Sequence, residues 1–239
     1  MKEDSFSAIC IAGFFAKSNK TLSELFSKGH AKVITDLGLG TFFKHEDYWH
    51  DSDLNYIILA YSDDIPLGGI RLEYKEDGIL LPCEKILKPF EPEFSKVFSD
   101  LDFKTYGEAC NLWNDKIVAN KKLGLLLGRT LIAIAPEIGL NTVVSLNGRH
   151  TFGMARNLGS RIVREIGDNG YFKFDIKKFE NENWSSALFA NSGLEELSFA
   201  NIESKQKIFE IRENKIFRTK EQFGNSEQTI LYDLKTRKE

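Results

Sequence analysis

The stretch from Phe103 to Leu158 constrains the fold more than any other part of the chain. Phe103–Trp113 is strand-like, broken by Gly107. Lys121–Ile138 then places Leu123, Leu126, Leu127, Leu131, Ile134 and Ala135 at helical spacing, and Gly139 supplies a stop. Asn141–Leu146 is a β-branched strand, and Arg149–Leu158 is a second, shorter helix. Strand, helix and strand in that order call for a parallel pair joined by a right-handed crossover.

The flanking segments add elements around this unit. Residues 1–20 carry no decisive period, although Ser18-Asn19-Lys20-Thr21 has the form of a helix start. Leu22, Phe26, Ala31, Val33 and Ile34 continue it as an apolar stripe that ends at Gly38. Lys44–Asp53 reads as a loop. Tyr56–Tyr61 and Pro66–Tyr74 read as a hairpin turning at Asp63-Asp64. Residues 84–101, near Pro82, Pro89 and Pro92, read as irregular with a short helix at Phe94–Phe98. Ser160–Ile166, Tyr171–Ile176 and Trp184–Phe189 offer further strands. The charged tail from Gly193 holds a helix and then strand-like Lys207–Phe217 and Thr229–Leu234. The pattern divides the chain into a domain over residues 1–192 and an extension over 193–239, and it leaves open whether that tail packs on the domain or mediates assembly.

Composition removes several function classes. The 239 residues are 42% apolar, enough for one sizeable core. The net charge is −3 with scattered Lys and Arg, which argues against nucleic-acid binding through a basic stripe. Cys10, Cys83 and Cys110 lack metal-ligand spacing and cannot all pair, so a reduced compartment and no metal are expected. No apolar run approaches the roughly 20 residues that span a bilayer. Ala8–Phe15 is short and flanked by Glu3 and Asp4, unlike a signal peptide. The expectation is a cytoplasmic protein without membrane insertion.

Lys121-Lys122-Leu123-Gly124-Leu125-Leu126 resembles the Gln/Arg-x-x-Gly-x-Gly/Ala signature of the GNAT superfamily of acyltransferases. Lys121 and Gly124 match, and Leu126 departs. Asp47–Tyr56 resembles the Asp-x-Phe-Asp-x-x-Asp-Thr-x-Tyr segment of one branch, the acyl-homoserine-lactone synthases and N-acyl amino acid synthases. Asp47, Trp49, Asp53 and Tyr56 fit; His50 and Leu54 do not. Gly68–Leu72 resembles that branch's Gly-x-x-Arg-Leu strand. Glu108–Leu112 stands where the branch has Glu-x-Ser-Arg-Phe, with Asn111 replacing the arginine. Arg156–Gly159 and Ile166-Gly167 are similar to its ending. The resemblance covers about Asp47 to Gly167. It implies an α+β fold of GNAT type, a mixed central sheet flanked by helices. It also implies an N-acyltransferase that takes its acyl group from a pantetheine thioester, acyl-CoA or acyl carrier protein, and passes it to a small amine. Asn111 turns the expectation away from a homoserine-lactone product. The weak phosphate signature, Asn111 and the lack of a tyrosine near Met154 and Ala155 keep open a non-catalytic acyl-CoA-binding or regulatory protein.

Acyl transfer needs a neutral amine and a donor for the tetrahedral oxyanion. Glu108, near the middle of its strand, is the candidate base; the alternative is a solvent-facing residue or a salt bridge. Arg71 is the second catalytic candidate, or else a structural partner for Asp47 or Asp53. Backbone N–H groups near Leu112 and Trp113 are assigned to the thioester, and Lys121, Lys122 and Gly124 to the donor's phosphates. Trp49, Asp47 and Asp53 are assigned to the acceptor pocket. Trp49, Phe42, Phe43, Phe103 and Trp113 line an acyl tunnel or belong to the core. His50 and His150 are more readily structural or solvated. Cys110 lacks the partners of a nucleophile.

Overall fold

A computed structural model describes residues 6–38, 47–88, 105–173 and 185–236. The first half contains β1 (Ile9–Phe15), α1 (Lys20–Asp36), β2 (Asn55–Ser62), β3 (Ile65–Tyr74) and α2 (Pro82–Leu87). The crossover unit is β4 (Tyr106–Asn114), α3 (Leu123–Ile134) and β5 (Thr142–Gly148). There follow α4 (Phe152–Asn157), β6 (Arg161–Ile162), β7 (Tyr171–Lys173), β8 (Ser185–Ser192), α5 (Ile202–Glu213), β9 (Ile216–Phe223) and β10 (Ser226–Leu234). The described strands join one mixed sheet in the order β6-β8-β5-β4-β3-β2-β1-β10-β9, with β7 beside β8. No described helix is long and apolar enough to cross a membrane.

Local chemistry accounts for most of these elements. Asn19 caps α1 by accepting a hydrogen bond from the Leu22 N–H at 3.1 Å. The Asp63-Asp64 turn has both residues at positive φ, 48° and 63°, the form that suits the twist of a two-residue hairpin. Gly107 does not break β4. A Cβ there would lie 2.7 Å from the Glu73 carbonyl oxygen, so glycine is what lets β3 and β4 approach.

One undecided segment is resolved and two expectations are corrected. The run before Ser18 is β1, which pairs antiparallel with β2 and parallel with β10. The proline-rich region contains α2, started by Pro82 and capped where the Glu84 carboxylate accepts the Leu81 N–H at 2.6 Å. Lys207–Phe217 is largely helix rather than strand. Asn201 caps α5 at the Ser204 N–H (2.7 Å), and Ser204, Ile208 and Ile211 form its buried face at helical spacing. The Phe94–Phe98 helix lies outside the described residues.

The two sheet faces bury different clusters. α1, through Phe26, and α2 cover Phe14, Ile57, Leu59, Val144 and Leu188. α3, through Leu127 and Ile132, and α5 cover Ile9, Ile11, Ile58 and Leu72. All of α3 except Leu125 is buried, because the sheet lies on one side and α5 on the other. Arg129 of α3 reaches Glu203 (2.8 Å) and Ser204 (3.3 Å) of α5. Residues 193–236 therefore pack as part of the same body as the sheet.

Candidate active site

The site arises from a defect in the middle of the sheet. β4 and β5 pair through only three positions, Tyr106↔Thr142, Gly107↔Val143 and Glu108↔Val144. Beyond them, among the described residues, β5 pairs only with β8, and β4 only with β3. Opposite the single residue Ile70, β4 sets two, Asn111 and Leu112, between the pairs Cys110↔Arg71 and Trp113↔Gly69, one residue more than β3 has there. This is a β-bulge, which bends the strand and re-aims its side chains. Asn111 takes it up at φ 51°, a left-handed conformation that asparagine tolerates better than most residues. An arginine at that point would be less readily accommodated.

The parted strands enclose a cleft of about 330 Å³. Ala109–Leu112 form one wall and Ser145–Gly148 the other, with Gly128, Leu131 and Ile132 of α3 and Met154, Ala155 and Leu158 at and after α4. His30 and Ile34 of α1 close the far side. The lining is chiefly apolar, as ligand clefts are, with polar groups along the β5 wall. There Asn147 is held at both ends: its Nδ2 donates to Ser145 Oγ at 2.6 Å, and its Oδ1 accepts from Thr151 Oγ1 at 3.1 Å. Ser145 thus has a lone pair occupied, while its own O–H has no acceptor among the described residues.

Two helices start at one end of this cleft. A Cβ on Gly124 would lie 3.8 Å from Met154 Sδ, and one on Gly128 would lie 2.7 Å from Leu158 Cδ1. α3 and α4 therefore run side by side in the same direction. Lys122, at φ 61°, precedes α3 without a side-chain cap, and the Leu125 and Leu126 N–H groups both reach its carbonyl. The N–H groups of Leu123 and Gly124 have no acceptor among the described residues, so they and the helix dipole can meet an anion.

The residues singled out in the sequence divide between this cleft and the opposite face. Leu112 lines the cleft and Gly124 borders it. Trp113 does not line it: the bulge turns its side chain to the α1 face, edge-on to Phe26 at 5.8 Å. Trp49 is likewise core, edge-on to Phe26 at 5.6 Å. Asp53 is exposed and pairs with Lys17 at 3.2 Å, not with Arg71. The side chain of Asp47, together with Phe42, Phe43 and Phe103, lies outside the described residues. Lys122 is exposed, and the Lys121 ammonium stands over two aromatic rings.

Arg71 and Glu108 sit behind the cleft wall. Arg71 is buried and binds Glu73 at 3.1 Å and Asn55 Oδ1 at 3.2 Å, with Trp49 beneath it at 5.4 Å. Glu108 does not face solvent, and among the described residues it has no salt-bridge partner. It is fully enclosed, and its carboxylate accepts the Cys83 N–H in the first turn of α2 at 2.7 Å. Burial raises its pKa to about 7, against the lowering effect of the Cys83 N–H and with help from nearby Glu73. Cys110, two residues along the same strand face, does line the cleft. Burial pushes its thiol up to about 12, which leaves no thiolate for nucleophilic attack at neutral pH. His50 bonds Ser27 at 2.6 Å away from the cleft, whereas His150 is on its lining.

The sequence reading passed over Ser145, Asn147, Thr151 and His30. The signal for the first three was polar residues interrupting an apolar strand and recurring one helical turn later. Among the described residues no group of three His, Cys, Asp or Glu side chains is placed to hold a metal.

No family model matches the chain, and no curated protein matches it in sequence. Solved structures do match in fold. FeeM, an N-acyl amino acid synthase from uncultured soil microbes, superposes with a TM-score of 0.53 at 10% identity, over 75% of this chain and 95% of its own. BjaI, a CoA-dependent acyl-homoserine lactone synthase solved with SAM and isopentyl-CoA, gives 0.52 at 12% identity, over 86% of this chain and 90% of its own. MesI, another CoA-dependent acyl-homoserine lactone synthase, gives 0.51 at 12% identity, over 85% and 95%. At these identities the likeness is one of fold: the mixed sheet with its flanking helices is of the GNAT type.

Proposed function

We propose that this protein is an N-acyltransferase that moves an acyl group from a pantetheine thioester, acyl-CoA or acyl carrier protein, to the amino group of a small acceptor. The observation that carries the reading is the parting of β4 from β5 into an apolar cleft, with the open N-terminus of α3 beside it. The pantetheine arm lies along the unpaired strand edges, its phosphates meet the Leu123 and Gly124 N–H groups, and the acyl chain fills the cleft. BjaI's structure with isopentyl-CoA favours a CoA-type donor for the same fold.

In the reaction the neutral amine attacks the thioester carbonyl, so a C–N bond forms and the carbonyl oxygen takes the negative charge. Backbone N–H groups at the Asn111-Leu112 bulge and the Ser145 hydroxyl are assigned to that oxyanion. Collapse breaks the C–S bond, and the departing thiolate takes up the proton that the new amide nitrogen sheds. Glu108 is assigned the proton of the incoming ammonium, reached from the cleft past Cys110. A carboxyl with a pKa near 7 is suited to that exchange at neutral pH. Arg71 is assigned to holding this wall rather than to contact with substrate.

The test incubates the full chain with acyl-CoAs of graded length and a panel of amines and measures free thiol. Amine-dependent thiol release is the expected result. Absence of both donor binding and thiol release would sink the reading. Calorimetric binding of CoA without turnover would leave the scaffold as a non-catalytic acyl-CoA-binding protein, which the enclosure of Glu108 favours.

A further inference from the structure

We propose that the β9–β10 hairpin is part of the donor site and acts on it through Lys121, which rests on the reading that the α3 N-terminus meets the donor's phosphates. The Lys121 ammonium lies 5.6 Å from the ring centroid of Phe6 and 5.8 Å from that of Phe223, within reach of attraction to both ring faces. Phe223 is buried at the end of β9. A Cβ on the next residue, Gly224, would lie 3.3 Å from Lys121 Cγ, so the lysine stem crosses the hairpin turn itself. Phe6 is fastened in turn, its carbonyl accepting from Gln228 Nε2 of β10 at 2.9 Å. Two distant parts of the chain, the N-terminal Phe6 and the β9–β10 turn, thus converge on the Lys121 side chain.

The backbone around that side chain gives the contact its meaning. Asn120 and Lys122, on either side of Lys121, both adopt left-handed φ, 62° and 61°. Such residues persist where their surroundings hold them. Lys121 is the residue between them, and the two rings hold it. The turn in its left-handed form aims the Leu123 and Gly124 N–H groups out of α3 toward the donor. Phe6 and Phe223 are positioning residues: they touch no reacting atom, and they act through Lys121.

The experiment is calorimetry with CoA on the full chain, with thermal melts run alongside. Phe6→Leu and Lys121→Met should each weaken CoA binding by about three- to tenfold, and the double variant should lose no more than the weaker single. Phe6→Tyr, which keeps the ring, should bind as the unaltered protein does. Phe223→Leu should act in the same direction as Phe6→Leu. Additive losses would show that the rings do not act through Lys121 and would overturn the proposal. So would unchanged affinity in Phe6→Leu, or a loss that Phe6→Tyr fails to restore. If the unaltered chain binds no CoA, the reading of function falls and this proposal falls with it. If it binds CoA and Phe6→Leu is silent, this proposal alone falls.

Discussion

The two faces of the central sheet are built on opposite plans around the same strand. On the α1 and α2 side of β4, Arg71, Glu73 and Glu108 are sealed in with Asn55 and the first turn of α2. On the α3 and α4 side, the same strand borders an apolar cleft whose polar groups belong to β5. The charged side chains are buried behind the wall, with Cys110 between Glu108 and the cleft, and the cleft lining itself carries neutral polar groups. The segments that most resemble a known family, around Trp49, Arg71 and Glu108, fall on the sealed face. A resemblance of this kind marks what holds the wall in place as much as what reacts at it.

The contrast can be broken most severely from outside the cleft. The α3 side depends on the tail, since Ile208 and Ile211 cover α3 and β10 pairs along β1. A chain ending at residue 192 should lose its cooperative melt, each fully buried isoleucine alone being worth about 1.5–3 kcal/mol. A sharp melt from that truncated chain would show that α3 needs no cover.

On the sealed face, Arg71→Met leaves Glu73 buried without its cation. The loss in denaturant unfolding should be about 3–5 kcal/mol. A change below about 1 kcal/mol would mean that water enters this face after all.

Glu108→Gln sharpens the comparison through pH. The folded carboxyl holds its proton up to about 7 against an ordinary value of 4.5. Between those values the folded state binds a proton that the unfolded state has released, so stability is present in full below the window and declines as pH rises through it. Glutamine has no such slope. The variant should gain on the unaltered protein across this window, by about 3 kcal/mol at pH 8. Parallel stability curves from pH 4 to 8 would refute the enclosure of Glu108. If Glu108 also takes the ammonium proton, the unaltered enzyme's kcat/KM should fall below pH 7 and the variant's kcat should drop at least tenfold.

The smallest effect on stability is expected in the cleft. Asn147→Ala removes a side chain that orients Ser145, and it should cost less than about 1 kcal/mol of folding. Turnover should nevertheless fall about tenfold. Equal losses in folding and turnover would make this chain of hydrogen bonds structural.

What could be read in advance was local. The hairpin at Asp63-Asp64, the cap at Asn19 and the crossover from β4 through α3 to β5 follow from turn residues and short periods. The bulge could not be read, because it depends on which residue of β3 stands opposite Asn111. For the same reason the replacement of arginine by Asn111 looked like a statement about the acceptor, whereas a left-handed backbone explains the asparagine without reference to any substrate. Lys207–Phe217 was misread because Ile208, Phe209 and Ile211 suit a strand until α3 is known to lie along one helical face. The assignment of Trp113 to the donor concerns its backbone N–H; that its side chain lies in the core follows from a single inserted residue, which the sequence alone does not show.

The three-position seam between β4 and β5 makes the sheet two rafts joined at one corner. One raft carries β5 to β8, the other β1 to β4 with β9 and β10, and α3 crosses between them. Such a joint resists shear near Tyr106 and yields to rotation at the open end. For the proposed acyl donor, this predicts that the angle between the rafts sets cargo size, a bulkier acyl group being admitted by a swing of β5 away from β4 rather than by a deeper excavation of the core.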